Sequence, residues 1–216
     1  MDFEAARQQM IQQQVRAWDV LDPGVLEVLA RVPRERFVPP AFRELAFADT
    51  AIPLPAGQSM LAPSIHGRIL QALELRPGET VLEVGAGSGY LTACLAALGG
   101  QVSALEIHPE LAALAADNLR TTGYPSVAML TADATAWQPA RRFDVVVLTA
   151  SLPEYDPRYQ QWLSAGGRLF AVVGTGEPME AVLVTCTGER EFGRVELFET
   201  VVGPLVNARR PSSFVF

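Results

Sequence analysis

The stretch that decides the fold is Val81-Leu82-Glu83-Val84-Gly85-Ala86-Gly87-Ser88-Gly89-Tyr90. Its apolar first part predicts a strand over residues 80–84, and the apolar residues that follow predict a helix over 90–98. The glycines between them can adopt positive φ and have no Cβ, so a ligand can lie directly against the turn. A strand, a glycine-rich turn and a helix in this order therefore indicate a binding loop rather than a turn that binds nothing.

Strand and helix patterns continue to alternate after this motif. A helix is predicted over 109–120, and strands are predicted over 102–106, 127–132, 144–149, 168–173, 182–186 and 195–202. Strands separated by helices predict an α/β fold with a doubly wound, mostly parallel, Rossmann-like sheet. The link between the last two strand runs is too short for a crossover helix. We therefore expect an antiparallel C-terminal hairpin at the sheet edge.

The residues before the motif predict a helical N-terminal extension that is rich in loops. Asp22 followed by Pro23 is typical of a helix start, and Ser64 is a possible N-cap of a second helix. Six prolines between residues 33 and 63 favour extended segments and loops that cover one side of the domain. We therefore expect an N-terminal cap that contributes to an acceptor site, 1–76, and a cofactor-binding domain, 77–216.

Composition excludes several classes of function. All 17 basic residues are Arg, against 24 acidic residues, which gives a net charge of −7 and makes nucleic acid an unexpected partner. We expect the short basic cluster of Arg31, Arg34 and Arg36 to be a solvated edge. The absence of Lys excludes Schiff-base chemistry and a Walker-type phosphate loop. Cys94 and Cys186 form no CxxC pair, so we expect buried thiols and no metal site.

No apolar run of the sequence has the length of a membrane span, and residues 1–20 do not resemble a secretory signal. These two features predict a cytoplasmic protein that does not bind a membrane.

The spacing of the glycines separates two classes of cofactor. Dinucleotide sites use the pattern GxGxxG, whereas Gly85, Gly87 and Gly89 have the spacing GxGxG, and Tyr90 occupies the place of the last dinucleotide glycine. The carboxylate of Glu83, just before the loop, would repel a pyrophosphate and suit a cationic ligand. Both observations favour S-adenosylmethionine over a dinucleotide.

Carboxylates also follow the next two predicted strands. Glu106 ends the second strand, where its two oxygens can accept hydrogen bonds from both hydroxyls of a ribose. Asp133, followed by Ala134, ends the third strand, where a carboxylate or a backbone amide can reach an adenine edge. Ligands of such sheets bind outside the carboxyl ends of the strands, so we expect these groups to lie at one site. The constellation resembles that of Class I S-adenosylmethionine-dependent methyltransferases.

The resemblance extends into the amino-terminal part of the chain. The segments that carry it are Val32-Pro33-Arg34-Glu35-Arg36-Phe37-Val38-Pro39, Ala48-Asp49, Ile52-Pro53-Leu54 and Gly57-Gln58-Ser59. Over roughly residues 5 to 175 the chain resembles the protein-L-isoaspartate O-methyltransferases. This resemblance implies methylation of the α-carboxylate of isoaspartyl residues in damaged proteins or peptides, which begins their repair.

The predicted acceptor loop departs from the family pattern. The family reads Thr-Ile-Ser-Gln-Pro where this chain reads Ser59-Met60-Leu61-Ala62-Pro63, so Leu61 takes the place of the family's active-site serine. Ser59 lies two residues before Leu61, so in an extended segment the two side chains are on the same face. Ser59 either presents a hydroxyl to the acceptor or only replaces the family threonine.

Two further side chains are candidates for the acceptor site. His66 either orients an acceptor, acts as a base for a hydroxyl acceptor, or is only a partly buried helix residue. Thr149 either touches the substrate or caps the following turn. Residues 207–216 either pack back on the domain, with an Arg paired to a substrate carboxylate, or form a surface tail.

The departure at Leu61 keeps two other functions open. If the chain does not methylate isoaspartyl residues, it is either a methyltransferase for a different small-molecule or protein acceptor, or an S-adenosylmethionine-binding protein without turnover. A nicotinamide-dependent oxidoreductase is a more distant alternative.

Overall fold

The structure, a computed structural model, describes residues 2–189 and 191–209. Its α-helices are α1 (Phe3–Met10), α2 (Pro23–Arg31), α3 (Pro63–Leu73), α4 (Tyr90–Ala97) and α5 (Pro109–Thr121). Its strands are β1 (Ile52–Pro53), β2 (Ser59–Met60), β3 (Thr80–Val84), β4 (Gln101–Glu106), β5 (Ala128–Thr131), β6 (Phe143–Leu152), β7 (Leu163–Val173), β8 (Met179–Gly188) and β9 (Glu191–Thr200).

A mostly parallel sheet forms the centre of the molecule. Its strand order is β5-β4-β3-β6-β7-β8-β9, and β3 pairs in parallel with β4 on one side and β6 on the other. The chain therefore reverses its direction of winding at β3, and the loops after β3 and β6 diverge there and leave a crevice. Strands β8 and β9 are antiparallel, which confirms the predicted C-terminal hairpin.

Alternation along the strands creates two cores. Val81, Val145 and Val147 face a core that they share with residues of all five helices, whereas Leu82 and Val146 face the opposite side. On that second side the described connections of the chain contain a 3₁₀ turn, Tyr159–Trp162, rather than an α-helix. Aromatic side chains cover the sheet there.

The start of α2 is as predicted, but the start of α3 is not. The side chain of Asp22 caps α2 by accepting a hydrogen bond from the Val25 amide at 2.9 Å. Helix α3 begins at Pro63, so Ser64 lies inside it and is not the N-cap. The amide and hydroxyl of Ser64 both donate to Asp49 Oδ1, at 3.1 and 2.7 Å. A carboxylate from a distant loop thus accepts hydrogen bonds from the first turn of α3, and no local sequence pattern predicts such a contact.

The proline-rich segment forms loops, as expected, with three 3₁₀ turns and a short hairpin between β1 and β2. The apolar core continues from Met10 to Val202 through both predicted parts of the chain, and the division at residue 76 stays a prediction. Cys94 and Cys186 are buried free thiols, as expected. Among the described residues, no helix is long and apolar enough to cross a membrane.

Candidate active site

A cavity of about 670 Å³, including its open mouth, lies at the carboxyl ends of β3, β4, β5 and β6. Most of the residues singled out in the sequence line it, namely Ser59, Leu61, Gly85, Gly87, Glu106, Asp133, Ala134 and Thr149. Sequence reasoning did not find the other contributors, which include Gln58, Ile107 and the segment 203–206.

The glycine loop has the backbone geometry that only glycine adopts without strain. Gly85, Gly87 and Gly89 have φ of +92°, +55° and +84°. A Cβ on Gly85 would lie 2.5 Å from Thr149 Oγ1, and a Cβ on Gly89 would lie 3.3 Å from backbone atoms of Ala115. A Cβ at Gly85 would therefore require Thr149 to move, whereas a Cβ at Gly89 would make a tight contact that Ala115 could relieve only by a small shift.

Thr149 supports this loop. Its hydroxyl lies 2.9 Å from the carbonyl oxygen of Val84 and 2.6 Å from that of Gly85, so it donates to the end of the strand that carries the loop. The two predicted roles, substrate contact and turn cap, did not include this one. Thr149 also lines the cavity, and a contact with an acceptor stays a prediction.

Backbone amides hold the carboxylate of Glu106 in place. Oε2 accepts from the Gly87 amide at 2.9 Å, and Oε1 accepts from the His108 amide at 3.0 Å. Each oxygen of an ionised carboxylate can accept a second hydrogen bond. The buried carboxylate of Glu106 is thus oriented with one acceptor position left on each oxygen, which suits a pair of ribose hydroxyls.

Asp133 is fixed in a similar way beside Ala134. Its Oδ1 accepts from the amide and hydroxyl of Thr135 at 2.8 and 2.7 Å, and its Oδ2 accepts from Asn207 Nδ2 at 2.9 Å. Burial raises the pKa of Asp133, but these hydrogen bonds outweigh it and hold the pKa below its usual value. Asp133 is therefore ionised at neutral pH.

A C-terminal segment closes one side of the cavity. The Ser151 amide donates to the Gly203 carbonyl, and the Leu205 amide donates to the Ser151 carbonyl, both at 2.8 Å. This pairing places residues 203–206 against the site and brings Asn207 to Asp133. The predicted packing of the tail concerned residues 207–216, of which 210–216 lie outside the described part.

The structure does not support the negative charge that the sequence analysis expected on Glu83. It is completely buried, the Thr92 hydroxyl donates to one of its oxygens, and the other oxygen has no partner among the described residues. Burial raises the pKa of Glu83 to about 8, so its carboxyl is mostly protonated at pH 7. Attraction of a cationic ligand by a charged Glu83 is therefore not supported, whereas Asp133 in the same site is ionised.

A second, smaller cavity of about 300 Å³, including its open mouth, borders the glycine loop and is called the inner cavity below. Glu83 lines this inner cavity, and its contact with a cofactor stays a prediction. Ser59, Leu61 and His66 line it too, and Ser59 and Leu61 also line the larger cavity. Ser59 and Leu61 thus border the same space, as their spacing predicted. Ser59 is exposed, whereas Leu61 and His66 are buried.

Arg34 is completely buried, and the prediction that it lies on a solvated edge is wrong. Its Nε donates to the Ala46 carbonyl at 2.8 Å, and its Nη2 donates to the Leu61 carbonyl at 2.7 Å. Its Nη1 lies 3.0 Å from His66 Nδ1, and its guanidinium carbon lies 4.9 Å from the centre of the Tyr90 ring. These partners are distant in sequence, so only the position of Arg34 within the signature string hinted at a special role.

The sheet order, the glycine loop and the carboxylates at successive strand ends together define a Class I S-adenosylmethionine-dependent methyltransferase fold. A family model described as "Protein-L-isoaspartate(D-aspartate) O-methyltransferase (PCMT)" matches residues 5–208. The chain therefore belongs to the protein-L-isoaspartate O-methyltransferase family.

Individual relatives agree with this assignment. The protein-L-isoaspartate O-methyltransferase of Koribacter versatilis is 36% identical over 205 residues, which cover 94% of this chain and 92% of the relative. That of Aeropyrum pernix is 37% identical over 209 residues, covering 94% of this chain and 80% of the relative. The fold is similar to that of a Plasmodium falciparum protein whose crystal structure is described as a putative protein-L-isoaspartate O-methyltransferase in complex with S-adenosyl-L-homocysteine. For that pair the TM-score is 0.81, the identity is 19%, and 92% of this chain and 97% of the other are covered.

Proposed function

We propose that this chain transfers a methyl group from S-adenosylmethionine to the α-carboxylate of L-isoaspartyl residues in damaged proteins. The observation that carries the proposal is the family match over residues 5–208, which includes both the cofactor loop and the acceptor loop. Isoaspartyl-containing proteins and peptides are accordingly the proposed partners. A cytoplasmic location stays a prediction.

The residues of the larger cavity fit this cofactor. S-adenosylmethionine supplies an electrophilic methyl group on a sulfonium sulfur when it is bound. The two remaining acceptor positions of Glu106 suit the ribose hydroxyls. Asp133 and the backbone of Ala134 would hold the adenine, and Gly85 and Gly87 of the glycine loop, which line the cavity, would admit the methionine part.

The acceptor explains why few catalytic side chains are needed. An α-carboxyl group has a pKa of about 3.5, so it is already ionised at neutral pH and needs no base. The chain then has to align the carboxylate with the methyl group and keep water away. Leu61 can exclude water but cannot donate a hydrogen bond, whereas Ser59 and His66 can. The replacement of the family serine by Leu61 is therefore compatible with the reaction.

The experiment that tests this proposal measures transfer of a labelled methyl group to an isoaspartyl peptide and to the same peptide with normal aspartate. We expect base-labile label on the isoaspartyl peptide only. Glu106→Ala should weaken binding of S-adenosylhomocysteine by about 10- to 100-fold, because hydrogen bonds to a charged group are lost. Glu110→Ala, an exposed acidic residue in the first turn of α5, is the matched control and should bind normally.

Two results would contradict the proposal. Unchanged cofactor affinity in Glu106→Ala would remove the cofactor assignment. A parent protein that binds S-adenosylhomocysteine but labels neither peptide would remove the isoaspartyl acceptor. The leucine at position 61 would then favour the second candidate, methyl transfer to a different acceptor with an apolar group beside Leu61. Screening for transfer to a pool of metabolites would test that candidate.

A further inference from the structure

His66 is a buried polar side chain at the acceptor end of the site. It lies in α3, is 3% exposed, and lines the inner cavity together with Ser59, Leu61, Gly85 and Thr149. A histidine can either donate or accept at each ring nitrogen, so its role depends on which nitrogen carries the proton.

Arg34 determines that protonation state. A guanidinium group has only donors, and Arg34 Nη1 lies 3.0 Å from His66 Nδ1, so Nδ1 must accept and cannot carry a proton. Arg34 cannot turn away easily, because the carbonyls of Ala46 and Leu61 bind its other nitrogens and the Tyr90 ring packs against it. Its fixed position therefore leaves the imidazole proton on Nε2.

The charge of the imidazole is restricted as well. Burial and the neighbouring Arg34 cation keep the pKa of His66 well below its ordinary value. The neutral Nε2–H form is then the state at pH 7. Among the described residues, Arg34 is the side chain that binds the imidazole, through Nδ1, and the Ala62 carbonyl one turn earlier also lies beside the ring. His66 borders the inner cavity, so we take its Nε2–H as the donor to a ligand there.

We propose that His66 Nε2–H donates a hydrogen bond to the acceptor carboxylate and thereby supplies the polar contact that Leu61 cannot make. His66 is then a substrate-binding residue rather than a general base, and Arg34 is the positioning residue that fixes its tautomer. A carboxylate accepts but does not donate, which makes an N–H group the complementary partner. This inference rests on the proposed function, because it takes the isoaspartyl carboxylate as the acceptor.

The test compares two variants in steady-state transfer to an isoaspartyl peptide. His66→Phe keeps an aromatic ring against Tyr90 but removes both the Nε2 donor and the Nδ1 acceptor of Arg34. His66→Gln keeps a side-chain N–H and an acceptor oxygen. His66→Phe should raise KM for the peptide by about 10- to 100-fold, as expected for a lost hydrogen bond to a charged group. Its kcat should change much less, and its affinity for S-adenosylhomocysteine should equal that of the parent. His66→Gln should recover most of the lost KM.

A second measurement does not depend on any variant. The ¹⁵N NMR signals of His66 in the parent protein should show a protonated Nε2 and an unprotonated Nδ1 at pH 7. A protonated Nδ1, or an active parent whose KM is unchanged in His66→Phe, would overturn the inference while the proposed function stands. A parent that binds S-adenosylhomocysteine and labels no isoaspartyl peptide would overturn the proposed function and this inference with it.

Discussion

The cofactor half and the acceptor half of the site are held together by different contacts. In the cofactor half, backbone amides of Gly87 and His108 hold the buried carboxylate of Glu106, and the Thr149 hydroxyl supports the closely packed glycine loop. In the acceptor half, side chains hold the backbone, as Arg34 binds the Leu61 carbonyl and Asp49 binds the Ser64 amide. We infer that the cofactor half depends on the space around its glycines, whereas the acceptor half depends on a few buried polar side chains.

The strongest way to break the cofactor half is Gly85→Ala. The new Cβ would adopt φ of +92° and lie 2.5 Å from Thr149 Oγ1. We expect a loss of about 2–5 kcal/mol in the free energy of unfolding, together with loss of S-adenosylhomocysteine binding. Urea denaturation and calorimetric titration measure the two effects.

Gly57→Ala is the matched control in the acceptor loop. Gly57 also has a positive φ, +68°, but a Cβ there would meet no atom within 4 Å. Its cost should be only about 1–2 kcal/mol, from the left-handed backbone alone. Adding Thr149→Ala to Gly85→Ala should recover part of the loss, because it removes the hydroxyl that clashes. Equal effects of Gly85→Ala and Gly57→Ala would contradict the close packing of the loop.

We expect substitution of Arg34 to disrupt the acceptor half. Arg34→Lys cannot satisfy the Ala46 and Leu61 carbonyls and His66 at once, so buried acceptors lose their donors. We expect a loss of about 2–4 kcal/mol in the free energy of unfolding. Methyl transfer should fall more than S-adenosylhomocysteine affinity does. Arg36→Lys, two residues away and exposed, should leave both unchanged. Equal effects at the two positions would be inconsistent with a buried anchor.

The buried carboxyl of Glu83, in the cofactor half, makes the free energy of unfolding depend on pH. Since burial raises its folded pKa to about 8, the folded protein keeps a proton that the unfolded chain releases near pH 4.5. Its contribution to stability is therefore present in acid and is lost as pH rises towards 8. Between pH 5.5 and 7.5 the parent should lose about 2–3 kcal/mol in the free energy of unfolding relative to Glu83→Gln. Parallel pH profiles in urea denaturation would refute the buried protonated carboxyl.

The smallest expected effect belongs to the C-terminal segment. Asn207→Ala removes one hydrogen bond to Asp133, at a partly open position, so S-adenosylhomocysteine should bind about two- to fivefold more weakly. Val201→Ala, which changes an exposed residue of the same segment, should have no effect. A larger loss in Val201→Ala than in Asn207→Ala would show that the segment acts through packing rather than through this contact.

The sequence predicts the cofactor half well because its signals are local. The strand over 80–84 and the glycine turn were confirmed residue by residue, since both follow from periodicity and from the special backbone of glycine. Strand β7 was predicted five residues too short. Leu163 pairs with Phe143 across an irregular stretch that contains Gly166 and Gly167, which resemble a turn.

The acceptor half could not be predicted to the same extent. Arg34 and Leu61 are 27 residues apart, and Arg34 and His66 are 32 apart, and each pair is joined by contacts that leave no periodic pattern. A charged residue in a string of charges is ordinarily exposed, so burial of Arg34 appears only in three dimensions. The closure of the cavity by residues 203–206 depends on backbone pairing with Ser151, which carries no side-chain signal.

The most direct test of the central claim is a comparison of the parent with Leu61→Ser in methyl transfer to one isoaspartyl peptide. If alignment by the remaining acceptor groups is sufficient, the parent turns over and Leu61→Ser changes kcat/KM by less than about tenfold. A parent that is silent, beside an active Leu61→Ser variant with equal affinity for S-adenosylhomocysteine, would show that the acceptor site does not work without the serine and would contradict the account.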